Sequence, residues 1–402
     1  LTSEQITSVA TAALAGMSTA QVAALTTGQV AALGATQVQA LETADVAVLS
    51  STQAQALSTA QVAALSTAQV QAMSTSGVTG LTTDAIKGLS NAQLQAITTA
   101  GVAALTTTQV GALGTAQVAA LTSTEAAALT TTQVQAMSTA QVKALEVGDL
   151  AAMTTAQVAA LTTGQVSALT TGQVSSLTTG QVAALTTSQV NVLSSTQVQA
   201  LGTSQVAALT TSQVAALTTS SVSALSEADV RVLSTGQVNA ISTSGVAVMS
   251  TTQVAALSTD QVAAFSTAQV SALTTTEAAT LTAAQAKALT TAQVQALNTD
   301  NVKALNLNSV KAMTTDQLKA LSTTQLNALE TEDFANLSDA QITGLTTAQV
   351  QALTTSAIAA LTADQVSKLT TSQVAVVTST NVGALNSDQV AALTTAQVGT
   401  LD

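Results

Sequence analysis

The sequence predicts an all-α protein, an α-solenoid of very short helices with one helix per eight-residue repeat, and three observations predict it. An octad register runs without insertion or deletion from Leu1 to Leu401, fifty octads and a two-residue stub. A capping-box pattern recurs in most octads. Charges are sorted by sign along the octad as a helix macrodipole would sort them.

The positions justify this in turn. A typical unit is Leu25-Thr26-Thr27-Gly28-Gln29-Val30-Ala31-Ala32, followed by Leu33. Position one is Leu in 40 of its 51 occurrences, and the rest are Met, Ile, Val or Phe, including all six methionines, among them Met17, Met137 and Met313. That is a core column. Position two is Ser or Thr in 40 of 50 octads and position five is Gln or Glu in 36. In the predicted box, Thr26 accepts from the Gln29 N–H while the Gln29 side chain reaches back to the Thr26 N–H, and Thr122 with Glu125 repeats the arrangement. Position six is mostly Val, replaced by Ile86, Leu94, Leu150 or Phe334, and lies three residues before position one on the same helix face. Position eight is Ala in 35 of 50 octads, small enough for close backbone approach. The period-two alternation of a β-solenoid is missing, and Ala and Gln favour helices over strands.

All twenty acids lie at positions two to five, for example Glu42, Asp45, Asp84 and Asp388. Seven of the eight bases, Lys87, Lys143, Arg231, Lys287, Lys303, Lys311 and Lys319, lie at position seven, with Lys368 at position eight. Acids at the helix start and bases at its end suit the macrodipole, at about 0.3–1 kcal/mol each. Position seven, which also holds Gln39, Gln55 and Gln71, therefore faces solvent. Each helix is expected to span positions three to eight and the next position one, about seven residues. Helices that short are marginal alone, so each must bury its Val and Leu against neighbouring units. Glycine at position four, as in Gly28, Gly164 and Gly180, reflects either crowding or tolerance, and the mixture of Ala, Thr, Ser and Asp there favours tolerance.

The chain has no Pro, Cys, His, Trp or Tyr and only two Phe among 402 residues. Without imidazole or thiol there is no general base near neutral pH and no thiolate or imidazole metal ligand, so the chain is not expected to be an enzyme. A net charge of −12 with almost no aromatic rings excludes nucleic acid as a partner. Thr, Ser or Gln interrupts the apolar runs every few residues, so no membrane insertion is expected within this segment.

No catalytic, cofactor-binding or metal-ligating residue is assigned, and no cofactor. The acidic groups Glu330, Glu332 and Asp333, Glu227 with Asp229, and Glu146 with Asp149 lack the alternating loop of a calcium site and read as solvated caps. Ser367 and Lys368 are neighbours by accident of composition. Phe265 and Phe334 substitute core columns, whereas Leu307, Asn336 and Lys368 break the consensus and mark looser packing. Nothing divides the chain, so residues 1–402 read as one continuous array, a window from a longer protein.

The unit Leu289-Thr290-Thr291-Ala292-Gln293-Val294-Gln295-Ala296, repeated from Leu345 to Ala352, resembles the octapeptide tracts of very large bacterial surface and secreted proteins. The resemblance implies an extracellular stalk, adhesin or filament component, and its motif carries no site residues to transfer. The expected function is structural: a rigid, repetitive rod at the cell surface or outside it, self-associating into fibres or displaying another domain. The alternative is a surface-binding module whose position-three Thr and Ser form a ladder against polysaccharide, mineral or ice. A scaffold for partner proteins lacks the aromatic and Arg anchors that binding hot spots prefer.

Overall fold

The structure, a computed structural model, describes residues 1–401. Among the described residues there are fifty helices and no strand, one helix to each octad, from Ser3–Thr7 to Thr395–Val398. They are four to six residues long, a little shorter than expected, and the backbone shows why. The helix Thr179–Ala184 ends because Leu185, at position one, has already left helical space at φ −58° and ψ 141°. Its N-cap, Thr178, is extended as well, at φ −70° and ψ 158°. Two extended residues therefore turn the chain between helices. Any L-residue can adopt both conformations, and among the described residues none has a positive φ, so no glycine C-cap is needed.

By its contacts the chain divides into two compact units, Leu1–Ala208 and Leu209–Asp402. In the first, the closely packed helices are three apart in chain order: Ser51–Ala56 lies on Thr75–Gly80, and Thr107–Ala112 on Thr131–Ala136. The second follows the same rule, with Thr251–Ala256 on Thr275–Thr280 and Ala283–Ala288 on Leu307–Ala312. Hydrogen bonds from Gln133 to Leu105 and from Gln293 to Phe265 each span 28 residues, so a turn of either coil takes about three and a half octads. Each unit is an α-solenoid.

Positions six and one close on the inside of the coil. Val182 is 0% exposed and Leu185 5%, and Phe265 and Phe334 are buried in the same columns as the sequence predicts. Burying each such side chain contributes about 1.5–3 kcal/mol, which a single six-residue helix cannot supply from its own hydrogen bonds. Position seven, as at Lys143 and Ala183, faces solvent, and position eight is half-buried, as at Ala184. No helix among the described residues is long and apolar enough to cross a membrane. Two exposed ion pairs, Lys87 with Asp84 and Lys368 with Asp364, add little. Lys368 thus turns outward and leaves the packing of its helix, Ala363–Lys368, unbroken.

Position eight rests on position three of the helix three octads earlier, and glycine there permits an unusually close approach. A Cβ on Gly80 would stand 2.7 Å from the Ser51 Cα and 2.8 Å from its carbonyl carbon, backbone that cannot rotate away. Gly80→Ala is expected to destabilise by about 1–3 kcal/mol. At position four, a Cβ on Gly164 meets only the Thr162 Oγ1 at 3.9 Å, so glycine is merely tolerated there. Gly164→Ala is expected to stabilise by about 0.5–1 kcal/mol. Denaturant midpoints of the two variants check this, and shifts of the same sign would contradict the assigned contact.

Candidate functional site

A helix of six residues leaves most of its N–H and C=O groups without partners inside the helix. Position five resolves both ends at once. Gln133, 1% exposed, accepts the N–H of its own N-cap, Thr130, on Oε1 at 2.6 Å. Its Nε2 donates to the carbonyls of Val102 and Leu105, one turn back, at 2.9 and 2.6 Å. Gln181 does the same, accepting from Thr178 at 2.8 Å and donating to Leu150 and Met153 at 2.9 and 2.7 Å. In the second unit Gln293 accepts from Thr290 at 2.7 Å and donates to Val262 and Phe265 at 3.0 and 2.7 Å. The capping box read from the sequence is therefore only the near half of the arrangement. The far half ties each turn to the one before it through a buried amide.

The tie survives where the cap hydroxyl is missing. Gln117 accepts from the Gly114 N–H at 2.8 Å and still donates to Ile86 and Leu89, both at 2.9 Å. Shorter side chains reach one carbonyl instead of two: Asn301 donates to Leu273 at 2.8 Å and Ser309 to Leu281 at 2.6 Å. At Gly101 and Gly245 the missing side chain is replaced from below. A Cβ there would stand 2.7 Å from the Ile97 Cγ2 and 2.9 Å from the Ile241 Cγ2, so the β-branched residue at position one fills the space.

Six carboxylates occupy the same column, and their burial corrects the reading of the acidic groups as solvated caps. Glu146, Glu227, Glu330 and Glu332 are exposed, but Asp149, Asp229 and Asp333 are buried because position five points inward. Asp229 accepts from the Ser226 N–H and hydroxyl at 2.9 and 2.7 Å. Burial pushes the Asp149 carboxyl above its ordinary value against the Ser123 hydroxyl that donates to it at 2.9 Å. Burial also raises Asp333, opposed by the Glu330 N–H at 2.9 Å and reinforced by the charges of Glu330 and Glu332. Among the described residues no three acids gather closely enough to hold a metal ion.

Ser367 and Lys368 face local partners rather than each other: the Ser367 hydroxyl donates to the Asp364 carbonyl at 2.6 Å, and the Lys368 ammonium lies 3.7 Å from the Asp364 carboxylate. Inside the second unit a wholly apolar hollow of about 20 Å³ lies among Ile358, Leu361, Val366, Leu369, Val374 and Val377. It has room for about one water and no polar group to hold it. What the arrangement can do chemically is bind turn to turn.

Twelve stretches match a family model described as the ALTTAQ repeat: residues 1–35, 38–75, 86–123, 142–179, 175–203, 182–219, 222–259, 246–275, 299–331, 308–338, 326–363 and 366–402. Residues Ala288 to Gln293 spell those six letters and end on the position-five glutamine. Among curated proteins nothing matches the chain.

Proposed function

The chain belongs to the ALTTAQ repeat family, and from that premise we propose that this repeat protein is a stiff extracellular rod, part of a fibre, filament or adhesin stalk, that self-associates or carries another domain at a distance. The buried amide column is the observation that carries this reading. A buried polar group is costly to leave unpaired, so a tie repeated from turn to turn holds adjoining turns in one register and resists slip and bending. Such a task needs no localised site. It also suits a surface of Thr, Ser, Ala and Gln, which lacks the large anchors of binding hot spots.

Packed helices lie 8–10 Å apart, so each added turn should lengthen a rod by about 10 Å. Duplicating residues Met73 to Ala128, seven octads in register, is expected to increase the largest dimension in small-angle scattering by about 20 Å. An unchanged largest dimension would overturn the rod. A second reading is supported by the exposure of Thr131, Thr155, Thr179 and Thr203, position-three residues of helices stacked three octads apart. They suit a ladder contacting polysaccharide, mineral or ice. Under that reading the lengthened chain binds an insoluble polysaccharide more tightly, and under the rod reading it does not bind.

A further inference from the structure

Glu277 stands in the glutamine column without the donor that the column requires. Its Oε2 accepts the Thr274 N–H at 2.6 Å, and its own N–H donates to the Thr274 Oγ1 at 3.3 Å, so the near half of the tie is complete. Its Oε1 is buried and has no partner, and the residue as a whole is 2% exposed. The neighbours in the column fix what lies opposite. Gln269 donates to Val238 and Ile241 at 3.0 and 2.7 Å, and Gln285 to Val254 and Leu257 at 2.9 and 2.8 Å, at separations of 31 and 28 residues. The same separations from Glu277 fall on the carbonyls of Val246 and Met249. In that register a charged oxygen would face other acceptors and remain a buried, unpaired charge. One proton added to Oε1 turns the acceptor into a donor.

We propose that Glu277 is held in the folded chain as the neutral acid, its Oε1–H donating to a carbonyl of the preceding turn, so that this joint closes on protonation and loosens on ionisation. The step adds one proton from solvent to Oε1 and removes one negative charge; no other bond changes. Burial raises the Glu277 carboxyl above its ordinary value near 4.5, against the lowering effect of the Thr274 N–H and hydroxyl. The helix packed on its N-terminal side, Thr251–Ala256, carries no charged residue, and neither does Thr243–Val246, which ends at the Val246 opposite it in register. On the other side, Thr299–Ala304 brings Asp300 and Lys303, which line an open depression with Thr275 and Glu330, and the following helix, Ala283–Ala288, brings Lys287. All four charged groups are exposed and screened by water.

The sign follows from linkage. A carboxyl whose folded value lies above its unfolded one stabilises the fold fully below the ordinary value, and that contribution is lost as pH rises through the folded value. The test uses the full chain and Glu277→Gln, which supplies an amide donor at every pH. Native-state hydrogen exchange of the amides from 274 to 281, corrected for intrinsic rates, is followed from about pH 2.5 to pH 8. Wild-type protection is expected to fall relative to the variant by about tenfold for each unit by which the folded value exceeds the ordinary one. The ratio should be constant well below the ordinary value. Infrared absorption of a protonated carboxyl that persists above the ordinary range in the wild type and is lost in the variant would support the same conclusion. A wild-type to variant ratio independent of pH would overturn it. So would recovery of wild-type protection at pH 8 on adding sodium, potassium or calcium chloride, because a cation would then be the missing partner.

Discussion

Gln181→Ala is expected to destabilise its turn about as much as Leu185→Ala. The leucine substitution opens a cavity inside the coil, at about 2–5 kcal/mol. The glutamine substitution leaves the Thr178 N–H and the Met153 carbonyl, both now bonded to the amide, without those partners. Leaving the buried Met153 carbonyl unpaired costs about 1–3 kcal/mol, and losing the part-buried bond to the Thr178 N–H costs about 0.5–1.5 kcal/mol more. Ala183→Lys, between them in sequence but exposed, should change stability by less than about 0.5 kcal/mol. Local stabilities from hydrogen exchange of the three variants decide the matter. If Gln181→Ala behaves like Ala183→Lys, the far half of the tie contributes nothing and the column is only a row of helix caps.

A deletion out of register is expected to do more damage than any substitution. Removing residues 186–201, two whole octads, keeps every side chain at its column and every glutamine 28 residues from a position-one carbonyl. Removing residues 186–189 shifts the chain by half an octad, so the amides of the following turn meet the wrong positions while polar caps enter the core columns. With three or four ties lost together, the cost is on the order of 10 kcal/mol. Under the nearest-neighbour stability of a solenoid, the longer deletion preserves helicity per residue and the shorter one removes about a turn's worth on each side of the cut. Circular dichroism with thermal melting distinguishes them, and indistinguishable melts would mean that turn-to-turn register does not hold the fold.

The fold class was legible because an octad pattern of Leu, Val, Ala and capping residues states where each helix starts, which face it buries and which end carries which charge. Position seven and the roles of Phe265 and Phe334 followed from the same columns. Helix length was overestimated by one to three residues, the first of them because Leu at position one is compatible with a helix in sequence but is extended in the fold, as Leu185 shows. The tie between turns was missed for a different reason. A capping box is satisfied by Glu or Gln alike, so the pattern that identified the near half concealed the far half. One signal was present: position five is Gln in 34 octads and Glu in only two, a bias that a cap alone does not require and that a buried donor does. Nor did the pattern disclose which acids are buried, because Asp149 and Glu146 differ only in which way their positions face.

The direction of the ties matters for how such a chain comes into being. In each one the donor belongs to the later turn and the acceptors to the earlier, 28–31 residues upstream, as with Gln61 on Val30 and Leu33. Contacts this local in sequence are quick to close. A chain delivered from its N-terminus, by a ribosome or through a narrow pore, therefore meets at each step a finished ring of carbonyls, and the newest turn docks on a template already in place. The growing edge always exposes acceptors rather than a complete core, and no part of the coil has to wait for the far end of the chain to arrive.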